Sequence, residues 1–366
     1  MKFHLVVPSP SFDEGLAFFL DELGFTLERI TPSENPSLAI LTGFGISICL
    51  DKNVETRPVV IRVSTEDPDL HGVEKTGPNG TKIVYDLNPD EQTYPMSEEP
   101  STAISEGSSA HWTDGRAGMK YRNLLPQGNW NYIASHIKVS GSGPVPDWVH
   151  YHDAQFQIIY CYKGSAKLVY EDQGDPFIFN AGDCVLQPPY IRHQVLESYD
   201  GLEVIEIVTP ANHSTFSDHT MNLPNDTHNP ARYFGDQTFI WDKAANRQWH
   251  SLETANGSSH EVGKTGIEIA SARNGDVQLL RPSRRGETLS DIIPFSQQAS
   301  SKFTLWFVLS GTAVYDSGTS GQQRIYENDA ISALNTHEEG MDVVFRNPSS
   351  DFSLLEVRLP LKPPES

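Results

Sequence analysis

The sequence has few cysteines and no long apolar run. Cys49, Cys161 and Cys184 are the only cysteines among 366 residues, and so sparse and odd a set excludes a disulfide framework and fits a reducing compartment. No stretch approaches the roughly 20 apolar residues that a membrane-spanning helix needs, and the N-terminal residues lack the pattern of a secretory signal. We therefore expect a cytoplasmic protein without a membrane partner.

Basic residues are also scarce. The 27 Lys and Arg residues stand against 48 Asp and Glu residues, which gives a formal net charge of −21 at pH 7 and a pI near 4.9. A chain of this charge repels a phosphate backbone, so we expect no nucleic-acid partner. The acidity serves solubility or, as the alternative, provides an acidic interaction surface.

The first 52 residues predict a small α+β module. An apolar strand at 3–7 precedes apolar residues at helical spacing over 16–23, with a capping box that begins at Ser11 and a stop signal at Gly24. Strand-like stretches then complete a β-α-β-β-β order: 26–30, 37–42 and 45–50.

This order, with the letters LGF after the helix, resembles a single module of the vicinal oxygen chelate (glyoxalase-like) family. In that family a histidine on the first strand can bind metal, and His4 occupies a similar place without a convincing partner. The chain is rich in Pro, Ser and Glu from 88 to 114, which predicts a linker. We assign residues 1–100 to this module and its linker.

The remainder of the chain predicts an all-β structure with an internal repeat. Short stretches of β-branched and aromatic residues alternate with Gly, Pro and Asp turns. Residues 156–170 align with 303–317, which places Gly164 on Gly311. Two further pairs of segments align: 180–189 with 326–335, and 202–210 with 352–360. Two copies of one small barrel follow.

Three histidines and a glutamine within the first copy have the spacing of a metal site. His150 and His152 alternate along a strand, so both side chains point to the same face, and neighbouring strands can add Gln157 and His193. One ion can then meet four ligands, with Gln157 as a ligand or as a hydrogen-bonding support. The alternative is that the histidines are hydrogen-bonded core residues of a barrel without metal.

These residues resemble the two motifs of the cupin superfamily, and the paired copies resemble a bicupin. The first motif is matched by two histidines, an amide and a turn glycine: His150, His152, Gln157 and Gly164. The second runs from glycine through proline to a histidine, with Tyr190 where a glycine is usual: Gly182, Pro188 and His193. The resemblance implies a mainly β fold of two jelly-roll barrels, a metal-binding barrel at 101–225 and a degenerate barrel at 226–366.

The second copy lacks the metal-site residues. In the alignment, Gln157 falls on Thr304 and His193 falls on Glu339, while the first histidine pair falls on 293–300, which holds no histidine. His337 lies nearby without partners at ligand spacing. We therefore expect a metal-free C-terminal barrel with a packing role.

The donor set indicates the chemistry of the site. Three imidazoles and an amide are neutral, so a bound divalent ion keeps its full charge and acts as a strong Lewis acid. Fe(II) and Mn(II) are the favoured cofactors, with Ni(II), Co(II) and Zn(II) as alternatives.

Further side chains are predicted to surround the ion. Ile159 and Cys161 follow Gln157 in period two and should line a substrate pocket. Residues of the loop before the third histidine meet the substrate or, as the alternative, lie on the surface: Gln187, Tyr190 and Arg192. Glu206 and His136 lie on strands that can turn them inward, and we name Glu206 and Tyr190 as catalytic candidates.

Three functions compete for this site. The first is a dioxygenase, an oxidoreductase that acts on a small oxygen-rich substrate chelated to the metal. The second is a redox-neutral lyase, isomerase or hydrolase that acts on a sugar acid or hydroxy acid. The third is a non-catalytic cupin that binds a small molecule. A monomer and a homodimer both fit the sequence.

Overall fold

The protein is described here from a computed structural model. It covers residues 4–32, 35–55, 58–65, 67–87, 101–115, 118–128, 130–253, 259–283, 289–290, 301–316, 321–334 and 344–360. The chain divides into two compact units, Met1–Thr93 and Tyr94–Ser366. Within the residues given above, no helix combines the length and the hydropathy of a transmembrane segment.

The N-terminal unit has the predicted β-α-β-β-β order. Helix α1, Phe12–Ala17, continues into a π-helical turn, Phe18–Glu22, and a 3₁₀ turn covers Pro68–Leu70. The strands are β1 Leu5–Pro8, β2 Thr26–Thr31, β3 Leu38–Gly43, β4 Ile46–Asp51, β5 Val60–Thr65, β6 Glu74–Thr76 and β7 Lys82–Leu87. They form two sheets, β1-β4-β3-β2 with β1 parallel to β4, and β5-β7-β6 with β5 parallel to β7.

The helix signals of this unit are confirmed in part. Gly24 has a φ of +75° and ends the helical segment, as predicted. Ser11 is the N-cap residue, but its side chain makes no capping hydrogen bond, so the predicted capping box with Glu14 is wrong. His4, the histidine near the first strand, contacts a neighbouring serine. Nδ1 of His4 lies 2.7 Å from Oγ of Ser47.

The first half of the C-terminal unit is built around two long neighbouring strands. A 3₁₀ turn covers Gly107–Ser109. The first six strands are β8 Ser101–Ser105, β9 Thr113–Asp114, β10 Met119–Asn123, β11 Ile133–Val139, β12 Gly143–Pro144 and β13 His150–His152. The strands that follow are β14 Phe156–Tyr170, β15 Phe177–Asn180, β16 Cys184–Leu186, β17 His193–Thr209, β18 Thr215–Ser217, β19 Tyr233–Phe234, β20 Gln237–Thr238 and β21 Ile240–Asp242. The main sheet runs β21-β16-β14-β17-β11-β10-β9.

The second half repeats this plan. It contains a 3₁₀ turn at Ala244–Asn246 and helix α2 at Ile267–Ala270. Its strands are β22 Trp249–Glu253, β23 Ser259–Lys264, β24 Asp276–Pro282, β25 Leu289–Ser290, β26 Ser301–Ser310, β27 Thr312–Asp316, β28 Gln322–Tyr326, β29 Ala330–Leu334, β30 Val344–Arg346 and β31 Ser353–Pro360. They form the sheets β22-β23-β24-β31-β26-β29-β8 and β25-β30-β27-β28.

Matching glycines confirm the alignment of the two halves. Gly164 has a φ of +68°, and Gly311 has a φ of +74°. A Cβ atom would lie 2.8 Å from the backbone nitrogen of Leu202 at the first position and 2.8 Å from that of Phe352 at the second. Both sites therefore require glycine for the same close approach of two strands.

Two aspartates show the same equivalence. Oδ2 of Asp183 accepts the N–H of Asn180 at 3.0 Å, and Oδ2 of Asp329 accepts that of Tyr326 at 2.8 Å. These pairs fall on each other in the sequence alignment, so the internal repeat extends to the hydrogen bonds of the turn.

Strand pairing links the two halves of the unit. Strand β8 was predicted as part of a linker, and this is wrong because β8 pairs with β29 of the second half. Strand β21, which the predicted boundary at 226 assigns to the second barrel, pairs with β16 of the first half. Of the rest of that predicted linker, 88–100 lies outside the described residues, and 106–114 contains the 3₁₀ turn Gly107–Ser109 and strand β9.

The two halves bury a shared apolar core. One face of β14 contributes Phe156 and Ile158, and the facing side of β26 contributes Phe303, Leu305 and Phe307, all of them fully buried. Because side chains alternate along a strand, the opposite face of β14 points into the first half. That face carries the candidate site.

Candidate metal centre

Three buried histidines converge across neighbouring strands. His150 and His152 occupy alternate positions of β13, and His193, the first residue of β17, pairs with His150 in the ladder. Each ring offers one nitrogen, and these three atoms all lie within 4.8 Å of one another. Tyr151, between the first two, stacks on Phe216 outside the cluster. The predicted alternation therefore brings the histidine triad together.

Hydrogen bonds determine which ring nitrogens are available. Nδ1 of His150 lies 2.7 Å from the carbonyl oxygen of Trp148, and Nδ1 of His193 lies 3.0 Å from that of Ile191. A carbonyl group only accepts, so each Nδ1 carries the proton and each Nε2 keeps its lone pair. Lone pairs on converging imidazole rings fit a divalent transition-metal ion.

A buried carboxylate supports the first histidine. Oδ1 of Asp147 lies 3.6 Å from Nδ1 of His150, and both side chains are fully buried. Oδ2 of Asp147 accepts the N–H of Val195 at 3.0 Å. A carboxylate behind a metal-binding histidine makes the ring more basic and fixes its orientation.

Gln157 and Glu206 form a polar pair in the same cavity. Nε2 of Gln157 donates to Oε1 of Glu206 at 2.9 Å, and Gln157 is 2% exposed. Because the carboxylate holds the amide nitrogen, the amide oxygen is the atom that Gln157 can offer to a cation. Glu206 therefore orients the candidate fourth donor.

Gln187 approaches the triad from the loop before the third histidine. Its Oε1 accepts from the hydroxyl group of Tyr170 at 3.2 Å, and its Nε2 lies 2.9 Å from Nε2 of His193. An ion bound by that ring nitrogen would replace this hydrogen bond. Gln187 would then have to turn its amide or move aside.

Tyr170 is a cavity residue that the sequence pattern missed. Its ring stacks on His193 with centroids 5.5 Å apart, and burial raises the pKa of its hydroxyl group, with a smaller contribution from the charge of Glu206. The pattern failed because β14 shifts its register around Lys163. Inward positions are odd-numbered before this irregularity, as at Gln157, and even-numbered after it.

His213 was also missed. It lies just before β18, a strand that pairs with β13, and its ring centroid is 5.5 Å from that of His152. Nδ1 of His213 lies 3.0 Å from the carbonyl oxygen of Pro210. No motif spacing connects His213 to the triad, because the contact depends on how the chain folds back after β17.

Thr215 of the same strand supports a second member of the triad. Its Oγ1 lies 3.0 Å from Nδ1 of His152. We expect Thr215→Val to lower metal affinity about tenfold, because partners of this kind orient ligating histidines. Thr215→Ser, which keeps the hydroxyl group, is the matched control. Competition with a chelating dye measures both, and equal affinities for the Val and Ser variants would contradict this role.

The triad, Gln157 and Glu206 line a cavity of about 320 Å³. Ile159 lines it too, on the face predicted from Gln157. Much of the remaining wall is apolar, including Ile133, Ile137, Leu168, Phe179 and Val204.

His136 does not belong to this cavity. The inward positions of β11 are odd-numbered, such as Ser135, so His136 lies on the opposite face. Its Nε2 lies 2.7 Å from Oε2 of Glu203, and its ring packs against Phe307 of the second half. Burial lowers the pKa of His136, although Glu203 opposes that shift. The inward orientation suggested for His136 is therefore not found, because β11 turns its odd-numbered positions toward the cavity.

Tyr190 and Arg192 also lie outside the cavity. Tyr190 is 52% exposed and has a φ of +66°, the backbone conformation for which the motif's usual glycine is suited. The guanidinium group of Arg192 lies over the ring of Tyr151 and pairs with Asp218 at 3.2 Å. Neither residue lines the cavity, and the surface position that the sequence left as the alternative describes both.

Cys161 is buried but does not line the cavity. Its Sγ lies 3.6 to 3.9 Å from the carbonyl oxygens of Lys163, Gly164 and Phe179. Burial raises the pKa of the thiol to about 12. The predicted pocket contact of Cys161 is wrong because the strand irregularity follows immediately.

A polar network occupies the corresponding positions of the second half. Glu356 pairs with Trp306 and Gln278 across the strands just as Glu206 pairs with Ile159 and Ser135. Oε1 of Glu356 accepts from Nε2 of Gln278 at 2.9 Å, and Oε2 accepts from Nε1 of Trp306 at 3.0 Å.

Arg358 completes this network. It occupies the position of Val208, and its guanidinium group contacts both carboxylate oxygens of Glu356 at 2.5 and 3.0 Å. Burial, with a contribution from Glu356, also raises the pKa of nearby Asp276 to about 6. A side-chain cation thus balances the buried carboxylate here. Glu339 and His337 lie outside the described residues.

The fold has counterparts of known structure. No protein-family model matches the sequence, and no curated protein matches it significantly. The putative glyoxylate-induced protein of Pseudomonas aeruginosa superposes with a TM-score of 0.50 at 12% identity, over 75% of this chain and 95% of its own. Salicylate 1,2-dioxygenase of Pseudaminobacter salicylatoxidans gives a TM-score of 0.50 at 10% identity, over 74% and 88%. At these identities the likeness shows the fold alone: this mainly β chain is similar to cupin-fold proteins.

Proposed function

We propose that the chain is a metal-dependent bicupin enzyme that holds one divalent transition-metal ion in its first barrel. His150, His152 and His193 would bind the ion, and Gln157 would supply the fourth donor. The observation that carries this proposal is the buried triad, whose ligand atoms lie within 4.8 Å of one another and line a cavity. Fe(II) or Mn(II) are favoured, with Ni(II), Co(II) and Zn(II) as alternatives.

The reaction we favour is dioxygenation of a small substrate that chelates the metal. When bound, the ion supplies Lewis-acid polarisation of the substrate and, in the case of iron, the redox chemistry that a dioxygenase needs. The protein's own residues hold the donors in place, through Trp148, Ile191 and Asp147 behind the rings. The apolar wall limits access of water to the substrate.

Glu206 favours a second candidate, a redox-neutral lyase or isomerase. Its carboxylate lines the cavity and contacts Gln157, so it is placed near a substrate bound at the triad. A carboxylate in this position can take a proton from the substrate and return it.

Oxygen consumption separates the two candidates. Protein loaded with Fe(II) is mixed with a panel of diols, diketones and hydroxy acids in an oxygen electrode. We expect oxygen uptake that matches product formation, and none with His150→Ala protein at the same total iron. Turnover that continues under strict anoxia would exclude the dioxygenase and support the redox-neutral reaction.

The N-terminal unit lies outside this mechanism. We propose that it is a module similar to the vicinal oxygen chelate family, based on its β-α-β-β-β order.

A further inference from the structure

The walls of the cavity are predominantly apolar. Strand β11 contributes Ile133 and Ile137, β14 contributes Ile159 and Leu168, and β17 contributes Leu202 and Val204. A substrate group placed against these side chains loses its water. This transfer is favourable in free energy for a neutral hydrocarbon group. It is unfavourable for an ionised group unless the wall provides an opposite charge or a hydrogen bond.

Among the side chains of this cavity, the charge that faces a substrate is acidic and not basic. Among the described lining residues, and leaving the histidines aside, Glu206 is the charged one.

The basic side chains closest in sequence to the wall are engaged elsewhere. Three lysines that each stand between two wall positions pair with acidic side chains: Lys120 with Asp114, Lys138 with Glu203 and Lys167 with Glu197. Arg192, which precedes His193, pairs with Asp218. A carboxylate on a substrate would thus meet an apolar wall and the like charge of Glu206.

We infer that this cavity selects a neutral, compact and largely apolar molecule that carries one pair of adjacent oxygens, and that it rejects the same molecule bearing a carboxylate. This inference rests on the proposed function, since the oxygen pair is directed at the ion held by the triad. The cavity volume of about 320 Å³ lies at the lower end for small-molecule sites, which suits a single substituted ring. A catechol or a cyclic diketone meets these requirements, whereas a sugar acid does not.

Binding of a size-matched pair tests this selectivity. 4-Methylcatechol and 3,4-dihydroxybenzoate have the same ring and the same oxygen pair, and they differ in a methyl group against a carboxylate. Titration calorimetry on Zn(II)-loaded protein, without oxygen, measures both without turnover. We expect at least about tenfold tighter binding of the methyl compound, because like charges in a site of low polarity repel. Equal affinities, or tighter binding of the carboxylate, would overturn the inference.

The variant Glu206→Gln tests whether the charge of Glu206 causes the weaker binding of the carboxylate compound. Glutamine keeps an oxygen that can accept from Gln157, so the variant removes charge with little change of shape. We expect the ratio of the two affinities to shrink several-fold because the carboxylate compound binds better. An unchanged ratio would show that Glu206 does not select against anions.

The metal-free protein distinguishes failure of this inference from failure of the proposed function. The apolar wall contacts the ring, and Glu206 repels the carboxylate, whether or not metal is bound. The preference for the methyl compound should therefore persist in the metal-free protein, at weaker affinity. Protein that takes up no Zn(II) yet keeps this preference would contradict the metal site and support the cavity's selectivity. Binding of neither compound to either form would overturn the inference.

Discussion

Replacing His150 or His152 with alanine should reduce bound metal from about one ion per chain to background. Each substitution removes one of three converging ring nitrogens and leaves two imidazoles and the amide of Gln157, so we expect metal affinity to fall more than about 100-fold. Plasma mass spectrometry after dialysis measures the metal content. His219→Ala, at an exposed position outside the cavity, is the matched control and should keep its metal.

Loss of metal from the His219 variant as well would indicate adventitious binding to surface histidines. Full occupancy in both the His150 and His152 variants would contradict the ligand assignment. Circular dichroism of each variant shows whether the fold persists.

The buried ion pair of Arg358 and Glu356 should contribute strongly to the free energy of unfolding of the C-terminal unit. Arg358→Ala should destabilise the C-terminal unit by about 3–5 kcal/mol, because it leaves the carboxylate of Glu356, which is 0% exposed, without its cation. Urea denaturation followed by tryptophan fluorescence measures the change, since Trp306 donates to that carboxylate. Arg346→Ala is the control. It breaks a half-exposed ion pair with Asp316 and should cost less than about 1 kcal/mol.

A double substitution separates charge burial from packing. Glu356→Leu combined with Arg358→Met replaces the pair with apolar side chains of similar size and should recover most of the lost stability. Failure to recover would mean that the network is required for its hydrogen bonds to Gln278 and Trp306 as well.

The sequence predicted the triad because strand alternation is a local rule. His150 and His152 needed only period two, and His193 needed only a strand that returns beside them. The internal repeat was equally accessible, since Gly164 and Gly311 are required by the same close approach of strands.

The rest of the cavity depended on information that is not local. Tyr170 lies on the cavity face of β14 because the strand is irregular near Lys163. No residue pattern in the sequence indicates that irregularity. The orientation of His136 could not be predicted because pairing with β17 determines which side chains of β11 point inward. This pairing places Ser135 opposite Glu206. His213 required the return of β18 onto β13, a contact between segments about 60 residues apart.

Comparison of the two halves clarifies what makes the first one a candidate site. Both place a glutamate at the same position of the long return strand, Glu206 and Glu356. In the second half Arg358 neutralises the carboxylate. In the first half the same position holds Val208, so the cavity stays open beside the histidines.

Locating the metal tests the central claim most directly. Wild-type protein is loaded with Fe(II) or Zn(II), dialysed and crystallised, and anomalous diffraction is recorded at the absorption edge of the metal. We predict about one ion per chain, with a single strong peak among His150, His152 and His193. A protein that holds no ion after loading, or a peak bound by other residues, would contradict the account.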